Sequence, residues 1–373
     1  MRLAGALVTQ GSPQVWIDWL CRRALPLWSE AGYDAESGSF VERLALDGRP
    51  QWEVPRRVMV QARQIHVFAT AAANGWFSGA DELAMRAGDA MVARYWDADA
   101  GNGWAFSCTR QGAIVDARRD LYAHGFVLLA LAGLVTLDAQ PRHVALVHRT
   151  LAFLDRAMAH PAGGYAEQCP GVLPRRQNPH MHLLEAFLAL HETGNCGDFR
   201  PRIAAMIDLF DRRFLSAEDD VLSEYYGEDW TPVDDGRAFE PGHHFEWAWL
   251  LARTAAITGI DMAGRIERLL RTAQRGVDAR GGVVDQMGPG EPVAADYRLW
   301  PATEAAKAFD LPQGRAVRAS GTSDVLAAAW QSFITPAIAG GWIDRVDPRG
   351  APLVDHIPAS SLYHICTALD YLR

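Results

Sequence analysis

Gly163-Gly164-Tyr165 is one member of a series: Gly38-Ser39-Phe40, Gly103-Trp104, Gly281-Gly282-Val283 and Gly340-Gly341-Trp342 repeat the pairing of glycine with an aromatic or β-branched residue. The interval is roughly 60 residues, with one double gap in which Val221-Leu222-Ser223-Glu224-Tyr225 stands without the glycine, and a fixed period marks a repeat architecture. Six units then fill the chain. Each has the same internal order: a Gly-marked strand or hairpin, a helix, a turn and a second helix. Apolar periodicity and end signals predict helices over 12–30, 56–74, 80–96, 119–137, 141–159, 179–193, 199–215, 243–258, 262–275, 302–310, 321–338 and 360–372, two per unit. Asn178 before Pro179, Ser320 ahead of an alanine-rich run and Pro301 after Trp300 supply start signals.

A sixfold stack of helix pairs either stays an open solenoid or closes into a toroid. An open solenoid needs a polar terminal repeat, yet the last helix carries Leu362, Tyr363, Ile365, Cys366, Leu369 and Tyr371. Closure is therefore expected: an all-α (α/α)6 barrel of six inner and six outer helices, with short β-hairpins on one rim. No Ser/Pro/Gly-rich linker interrupts the chain, so residues 1–373 are read as a single catalytic domain. An open loop around 285–299 or 345–357 is a candidate lid.

Bulk composition narrows the partners. With 49% apolar and 22% charged residues the chain can bury a large core, and a net charge of −9 without a Lys/Arg run argues against nucleic acid and anionic membrane. The apolar run Met1–Val8 is too short for a signal sequence, and no stretch is long enough to span a bilayer. Cys21, Cys108, Cys169, Cys196 and Cys366 are scattered and lack C-x-x-C spacing, which fits reduced thiols and a cytoplasmic setting.

In such a toroid every inner helix starts at the same end, so unusual polar residues in the first turns of alternate helices would converge on one mouth. Glu240-Pro241-Gly242-His243-His244-Phe245-Glu246-Trp247 opens one of them, with His243, Glu246, Trp247 and Leu250 on one stripe and His244 pointing away. The other units bring Tyr122 with His124, Asn178 with His182, Trp300 with Glu304, and Tyr363 with His364. In the first unit Arg63 shares a face with Met59, His66 and Val67, and an arginine aimed into a core needs an anion to meet. Duller roles exist for each: His66, His124 and His180 as structural groups, Arg63 as an ion-pair partner of Glu246 or Glu304, Trp104 and Trp342 as core plugs. The joint pattern exceeds what packing needs, because buried charges cost several kcal/mol unless paired.

His180-x-His182 and two H-x-x-E spacings could ligate a metal, but none matches H-E-x-x-H, a Cys/His finger or an EF-hand, and no phosphate-binding glycine loop is present. No metal and no cofactor are expected. Imidazoles around a pocket suit proton transfer near neutral pH. A fixed arginine can hold the oxyanion that develops when a proton leaves carbon beside a carbonyl, and Trp300, Trp342 and Tyr122 can stack on sugar C–H faces. The residues point to proton transfer on a monosaccharide. A glycoside hydrolase would need two working carboxylates, for which Glu246 and Glu304 are the candidates; a non-catalytic sugar-binding toroid is a further alternative.

The motifs Ala62-Arg63, Gly103-Trp104 followed by Asp116-Ala117, Tyr122 with His124, Asn178 with His182 and Glu185-Ala186-Phe187, Pro241-Gly242-His243 with Glu246-Trp247, Trp300-Pro301 with Glu304, and Tyr363-His364 occur in order along most of the chain. In this the chain resembles the N-acylglucosamine 2-epimerase superfamily, and within it the bacterial D-mannose isomerase and aldose–ketose isomerase branch. The resemblance implies an (α/α)6 barrel without cofactor that interconverts D-mannose, or D-lyxose, and a D-fructose-type ketose through a cis-enediol. The nearest rival within the superfamily is a 2-epimerase acting on mannose/glucose, N-acylglucosamine or cellobiose. By the same resemblance His364 moves a proton between C2 and C1, His243 assists ring opening and Arg63 stabilises the enediolate. Glu246 orients His243, while Tyr122, Asn178, His182, Trp300, Glu304 and Trp247 line the substrate side. The chain departs from the branch at Ser360, where those isomerases carry a glutamine. A monomer or homodimer acting on a small sugar is the expected form.

Overall fold

A computed structural model of the chain describes residues 10–97, 102–233, 238–334 and 338–373; the N-terminal apolar run falls outside them. Helix α1 (Pro13–Trp19) runs through a π turn into α2 (Leu25–Glu30). There follow α3 (Val58–Ala73), α4 (Ala80–Tyr95), α5 (Leu121–Leu137), α6 (Pro141–Ala157), α7 (Asn178–Glu192) and α8 (Arg200–Leu209), prolonged by a second π turn. The chain continues with α9 (Pro241–Thr258), α10 (Ala263–Ala273), α11 (Leu299–Asp310), α12 (Pro312–Val317), α13 (Gly321–Phe333) and α14 (Leu362–Leu372). Each expected helix is present. Three of them start earlier than expected, α7 by one residue at Asn178, α9 at Pro241 and α11 at Leu299, the last of which draws Trp300 into a first helical turn. Helix α13 ends at Phe333, short of the expected 338. The short α12 was not expected: Pro312 at its first turn cannot continue the ladder of α11 but is preorganised to open a new helix.

The inner helices α3, α5, α7, α9, α11 and α14 pack in sequence, and α14 returns onto α3, so the ring is closed. Outside it α4 backs α3, α6 backs α5, α8 backs α7, α10 backs α9, α13 backs α11 and α1 backs α14. An inner helix touches neighbours on both sides and behind, which is why α5 buries nearly every residue between Leu121 and Val135, while outer α10 buries only the stripe Ile266, Leu269, Leu270 and Ala273 with Thr272. No helix of the described residues is long and apolar enough to cross a membrane.

The rim is a ring of antiparallel pairings, one at each junction between units. Arg56–Arg57 pairs with Ser107–Cys108, Arg119–Asp120 with Gln168–Cys169, Arg175–Arg176 with Tyr225–Tyr226, Pro292–Arg298 with Arg345–Val346, and His356–Pro358 with Arg43–Ala45. A single bridge between Phe239 and Met287 makes the sixth. The segment 285–299, expected as an open loop, is instead mostly the hairpin of Val284–Met287 and Pro292–Arg298, and the ends of 345–357 are paired strand as well.

The glycine period has a backbone cause. Gly163, Gly281 and Gly340 sit at φ of 89, 95 and 87°, the left-handed region that glycine enters freely. In the unit without the glycine, Asp220 takes φ 61° at the equivalent place, and aspartate is among the few other residues that tolerate it. The next turn of chain is pinned from below by a buried side chain. His124 Nε2 accepts the Trp104 N–H at 3.2 Å, His180 Nε2 that of Tyr165 at 3.0 Å and His244 Nε2 that of Leu222 at 3.0 Å. The Nδ1–H of each donates to the carbonyl four residues back, of Asp120, Arg176 and Glu240 respectively. In the first unit Gln61 does the same work, accepting the Phe40 N–H at 2.8 Å. A backbone donor on one ring nitrogen and a backbone acceptor on the other require neutral rings. Burial holds them neutral, pushing His124 and His244 down to about 4 and His180 to about 3. Trp104 and Trp342 are core plugs: Trp104 is buried and donates to Thr150, and Trp342 packs on Trp19 and Trp28.

Candidate active site

The sixth residue after the rim strands that end at Arg57, Asp120, Arg176, Arg298 and Pro358, and the residue two beyond His244, stand at one level of the barrel. They are Arg63, Phe126, His182, Glu304, His364 and Glu246. One turn nearer the mouth are Met59, Tyr122, Asn178, Trp300, Ser360 and Gly242. Most of these line a cavity of about 310 Å³, at the small end of the roughly 300–1,000 Å³ range of ligand pockets. Arg63, Tyr122, Asn178, His182, His243, Glu246, Trp300 and His364, all expected at the site, share this lining.

His243 and His364 are each backed by a glutamate. His243 Nδ1 lies 2.8 Å from Glu224 Oε2, and His364 Nδ1 lies 2.8 Å from Glu304 Oε1. The Trp300 indole stands between the two imidazoles, its centroid 5.1 Å from His243 and 5.4 Å from His364. Gly242 permits this approach, since a Cβ there would come within 2.5 Å of the Trp300 ring. The two rings differ in protonation, His243 favouring the cation and His364 the neutral ring. Burial disfavours a cation at His243, but Glu224, Glu240 and Glu246 outweigh it and raise the ring to about 9. Burial, reinforced by Arg63, His182 and Lys307, holds His364 well below the ordinary range for histidine. His243 Nε2 also meets the Asn178 amide at 3.0 Å. That amide suits either state of the ring, donating through Nδ2 or, turned over, accepting through Oδ1.

Arg63 is 5% exposed and has no carboxylate partner among the described residues. It donates to the Tyr122 hydroxyl at 2.5 Å and to the Ser360 carbonyl at 3.3 Å, with its guanidinium 4.0 Å from the centre of the Phe126 ring. A cation left without an anion beside a cavity is poised for a negative charge that arises there. His182 Nδ1 is held by Glu185 at 3.0 Å, and Tyr363 donates to the other oxygen of that carboxylate.

Three expectations are corrected. Glu246 does not orient His243, whose Nδ1 belongs to Glu224; the Glu246 carboxyl is 1% exposed, without a hydrogen-bond partner among the described residues, and 3.8 Å from His182 Nδ1. Burial, with Glu304 and Glu185 nearby, pushes it well above the ordinary carboxylate range. Glu304 does not reach the cavity: it is fully buried behind His364 and ion-paired through its other oxygen with Lys307 Nζ at 2.6 Å. Trp247, at the far edge of the His243 stripe, turns outward to donate to Gln177 and pack on Phe210. The cavity also takes in Arg176, Glu224, Glu240, Arg298, Asp344 and Ser361, which the sequence reading missed. Glu224 was accessible to it, because Glu42 and Glu167 occupy the same place in their units, where each accepts the N–H of Arg57 or Arg176 and pairs with its side chain. In the fourth unit that arginine is replaced by Glu240, and Glu224 turns to the histidine instead.

His182 with Glu185 and Glu246, Glu224 with Glu240 and His243, and Glu246 with Glu304 and His364 are close enough to share an ion. In the third group the Lys307 ammonium already sits on the carboxylate an ion would need.

The N-acylglucosamine 2-epimerase (GlcNAc 2-epimerase) family matches residues 38–368. The chain belongs to this family. A mannose-6-phosphate isomerase of Rhizobium meliloti is 36% identical to this family member over 376 residues, covering 95% of each chain. A D-mannose isomerase crystal structure superposes with a TM-score of 0.86 at 18% identity, covering 99% of both chains. The cellobiose 2-epimerase of Bacillus thermoamylovorans gives 0.86 at 18% identity, covering 96% of this chain and 98% of its own. At those identities the two structures speak for the fold, the (α/α)6 barrel.

Proposed function

We propose that the chain is an aldose–ketose isomerase that interconverts a D-mannose-type aldose and a D-fructose-type ketose by proton transfer between C2 and C1. The observation that carries this reading is the pair of glutamate-backed imidazoles on either side of Trp300, one favouring the protonated and the other the neutral form, facing one cavity with Arg63. His364, neutral and with Nδ1 engaged by Glu304, presents Nε2 as the base that takes the C2 proton and returns it to C1. His243, protonated, is the acid. It gives a proton to the ring oxygen and recovers one from the O1 hydroxyl as the ring opens, then protonates O1 and recovers the proton that O2 loses as the ketose carbonyl forms. Arg63 and the Tyr122 hydroxyl stabilise the enediolate oxygen between the two steps. The name of the 36%-identical relative supports an isomerase. Hydrolysis by the carboxylate pair Glu246 and Glu304 is disfavoured because Glu304 is fully buried behind His364 and outside the cavity lining, which leaves Glu246 without its partner.

The substrate is read as the free sugar. Arg176 is paired with Glu167, and Arg298 with Glu240 and Asp285, while Glu224, Glu240 and Asp344 also line the cavity. A phosphate dianion would find Arg176 and Arg298 engaged and carboxylates beside them, with only Arg63 lacking a carboxylate partner among the described residues.

The same pair of imidazoles also fits a 2-epimerase, with His243 returning the proton to the opposite face of C2, so the products decide. NMR in D2O with mannose, lyxose, mannose 6-phosphate, N-acetylglucosamine and cellobiose offered separately is the test. Ketose from mannose, carrying deuterium at C1 to the extent that the proton held on His364 exchanges with solvent, and poor turnover of mannose 6-phosphate are the expected result. An aldose epimer without ketose would reject isomerisation, and efficient use of the phosphate ester would reject the free-sugar reading.

A further inference from the structure

Lys307 is a buried core cation whose charge the proposed reaction does not use. It is 1% exposed, one turn after Glu304 on α11, with its ammonium 2.6 Å from Glu304 Oε2 and 3.7 Å from the centre of the Trp249 ring. A lysine buried to this degree is tolerated only when its partner is fixed. The partner's other oxygen holds His364, so Lys307, Glu304 and His364 form a line ending at the cavity.

Among the described residues, no Lys or Arg pairs with Glu224 in the dyad of His243. Behind Glu224 stand the Gln177 side-chain amide at 3.0 Å and the Glu240 backbone N–H at 3.3 Å, and the Glu240 carboxylate lies 3.8 Å from the His243 ring. Two glutamate–histidine pairs of similar hydrogen-bond length therefore differ in what lies behind the carboxylate, a neutral amide in one and an ammonium in the other. A carboxylate alone draws a proton onto its imidazole, whereas one compensated by an ammonium orients the ring without charging it. The other charged and titratable groups around His364 are Arg63 from α3, His182 and Glu185 from α7 and Glu246 from α9. Of these cations only Lys307 touches Glu304.

We propose that Lys307 is a positioning residue for His364: its ammonium neutralises Glu304, so that Glu304 fixes the imidazole while Nε2 keeps its lone pair. This rests on His364 being the base that meets carbon, but its test needs no substrate. The ring resonances of His364, assigned by their loss in His364→Gln, are titrated by NMR in the wild type and in Lys307→Gln, Lys307→Met and Lys307→Arg. In the wild type the ring stays neutral at and below the ordinary midpoint of ~6.5. Lys307→Gln keeps a donor to Glu304 without the charge, and it and Lys307→Met raise the midpoint by at least one pH unit, a tenfold change in proton affinity. Lys307→Arg returns it toward the wild-type value, and the acid limb of kcat/KM follows the same order.

A wild-type ring titrating above ~6.5 overturns the proposal without recourse to any variant. So does an unchanged midpoint in Lys307→Gln, which would make the lysine a packing residue. If ketose never forms but the titrations behave as described, the isomerase reading fails while the assignment of Lys307 stands.

Discussion

The Glu224–His243 and Glu304–His364 pairs share a hydrogen-bond length of 2.8 Å and nearly complete burial, yet one imidazole is pulled up to about 9 and the other pushed well below its usual range. Burial acts against the cation in both, so it cannot be what separates them. The surrounding charge does: Glu240 and Glu246 add to Glu224 around His243, while Arg63 and Lys307 stand near His364. A motif of histidine and glutamate thus says little about which ring is acid and which is base. That assignment is made by residues from other helices.

The largest effect expected from breaking this asymmetry is at the base. His364→Ala should lower kcat by ~10²-fold or more, the range supplied by general acid–base groups, with the thermal midpoint near wild type; near-normal turnover would remove it from the assigned role. Arg63→Ala comes next, at ~10²-fold in kcat if it meets charge developing in the transition state. A change confined to KM would mean that it only holds the ground-state sugar.

Glu224→Gln tests the acid. Because the folded-state value of His243 is raised, the protonated form persists up to about pH 9, and activity falls as pH rises through that value. Removing the carboxylate should move this alkaline limb down by a unit or more, about a tenfold change in proton affinity, while leaving the acid limb in place. An unmoved alkaline limb would show that His243 is not the acid.

The smallest effect concerns the histidines that carry no proposed chemistry. His124, His180 and His244 have folded values below the ~6.5 of the unfolded chain. Their stabilising contribution is therefore complete above pH ~6.5 and is lost as pH falls through about 4. His124→Gln copies the arrangement of Gln61 and should soften this acid loss, at a cost of about 1 kcal/mol near neutrality from the hydrogen bond to the Asp120 carbonyl. Denaturant midpoints at pH 7.5 and 5 measure both. A steeper acid loss in this variant would mean that the ring is charged in the folded state.

Much of the fold was legible because the repeat is written in backbone requirements. The glycine at positive φ and the helix periods recur unit by unit, and even the unit without its glycine keeps the position with Asp220. The site was legible only in part. Eight residues expected there line the cavity, since first-turn positions of alternate helices are determined by helix phase. Trp247 and Glu304 were misplaced because a stripe on a helical wheel spans a wide sector. Its edge positions can face an outer helix, as Trp247 does against Phe210, or lie one layer beneath the cavity, as Glu304 does.

By itself the sequence determined the six units, the closed ring, the end of the barrel where the polar residues gather, and the two histidines. Those depend on local dihedral preference and on short-range periodicity, which neighbouring residues express without reference to the rest of the chain. Only the tertiary structure decided that Glu224 rather than Glu246 holds His243, that Lys307 lies behind Glu304, and hence which ring is charged. These are pairings across 19 residues in the first case and, in the His364 line, between α11 and α14. Coulomb terms between buried groups are set by ångström-scale distances, and those distances exist only once the ring has closed.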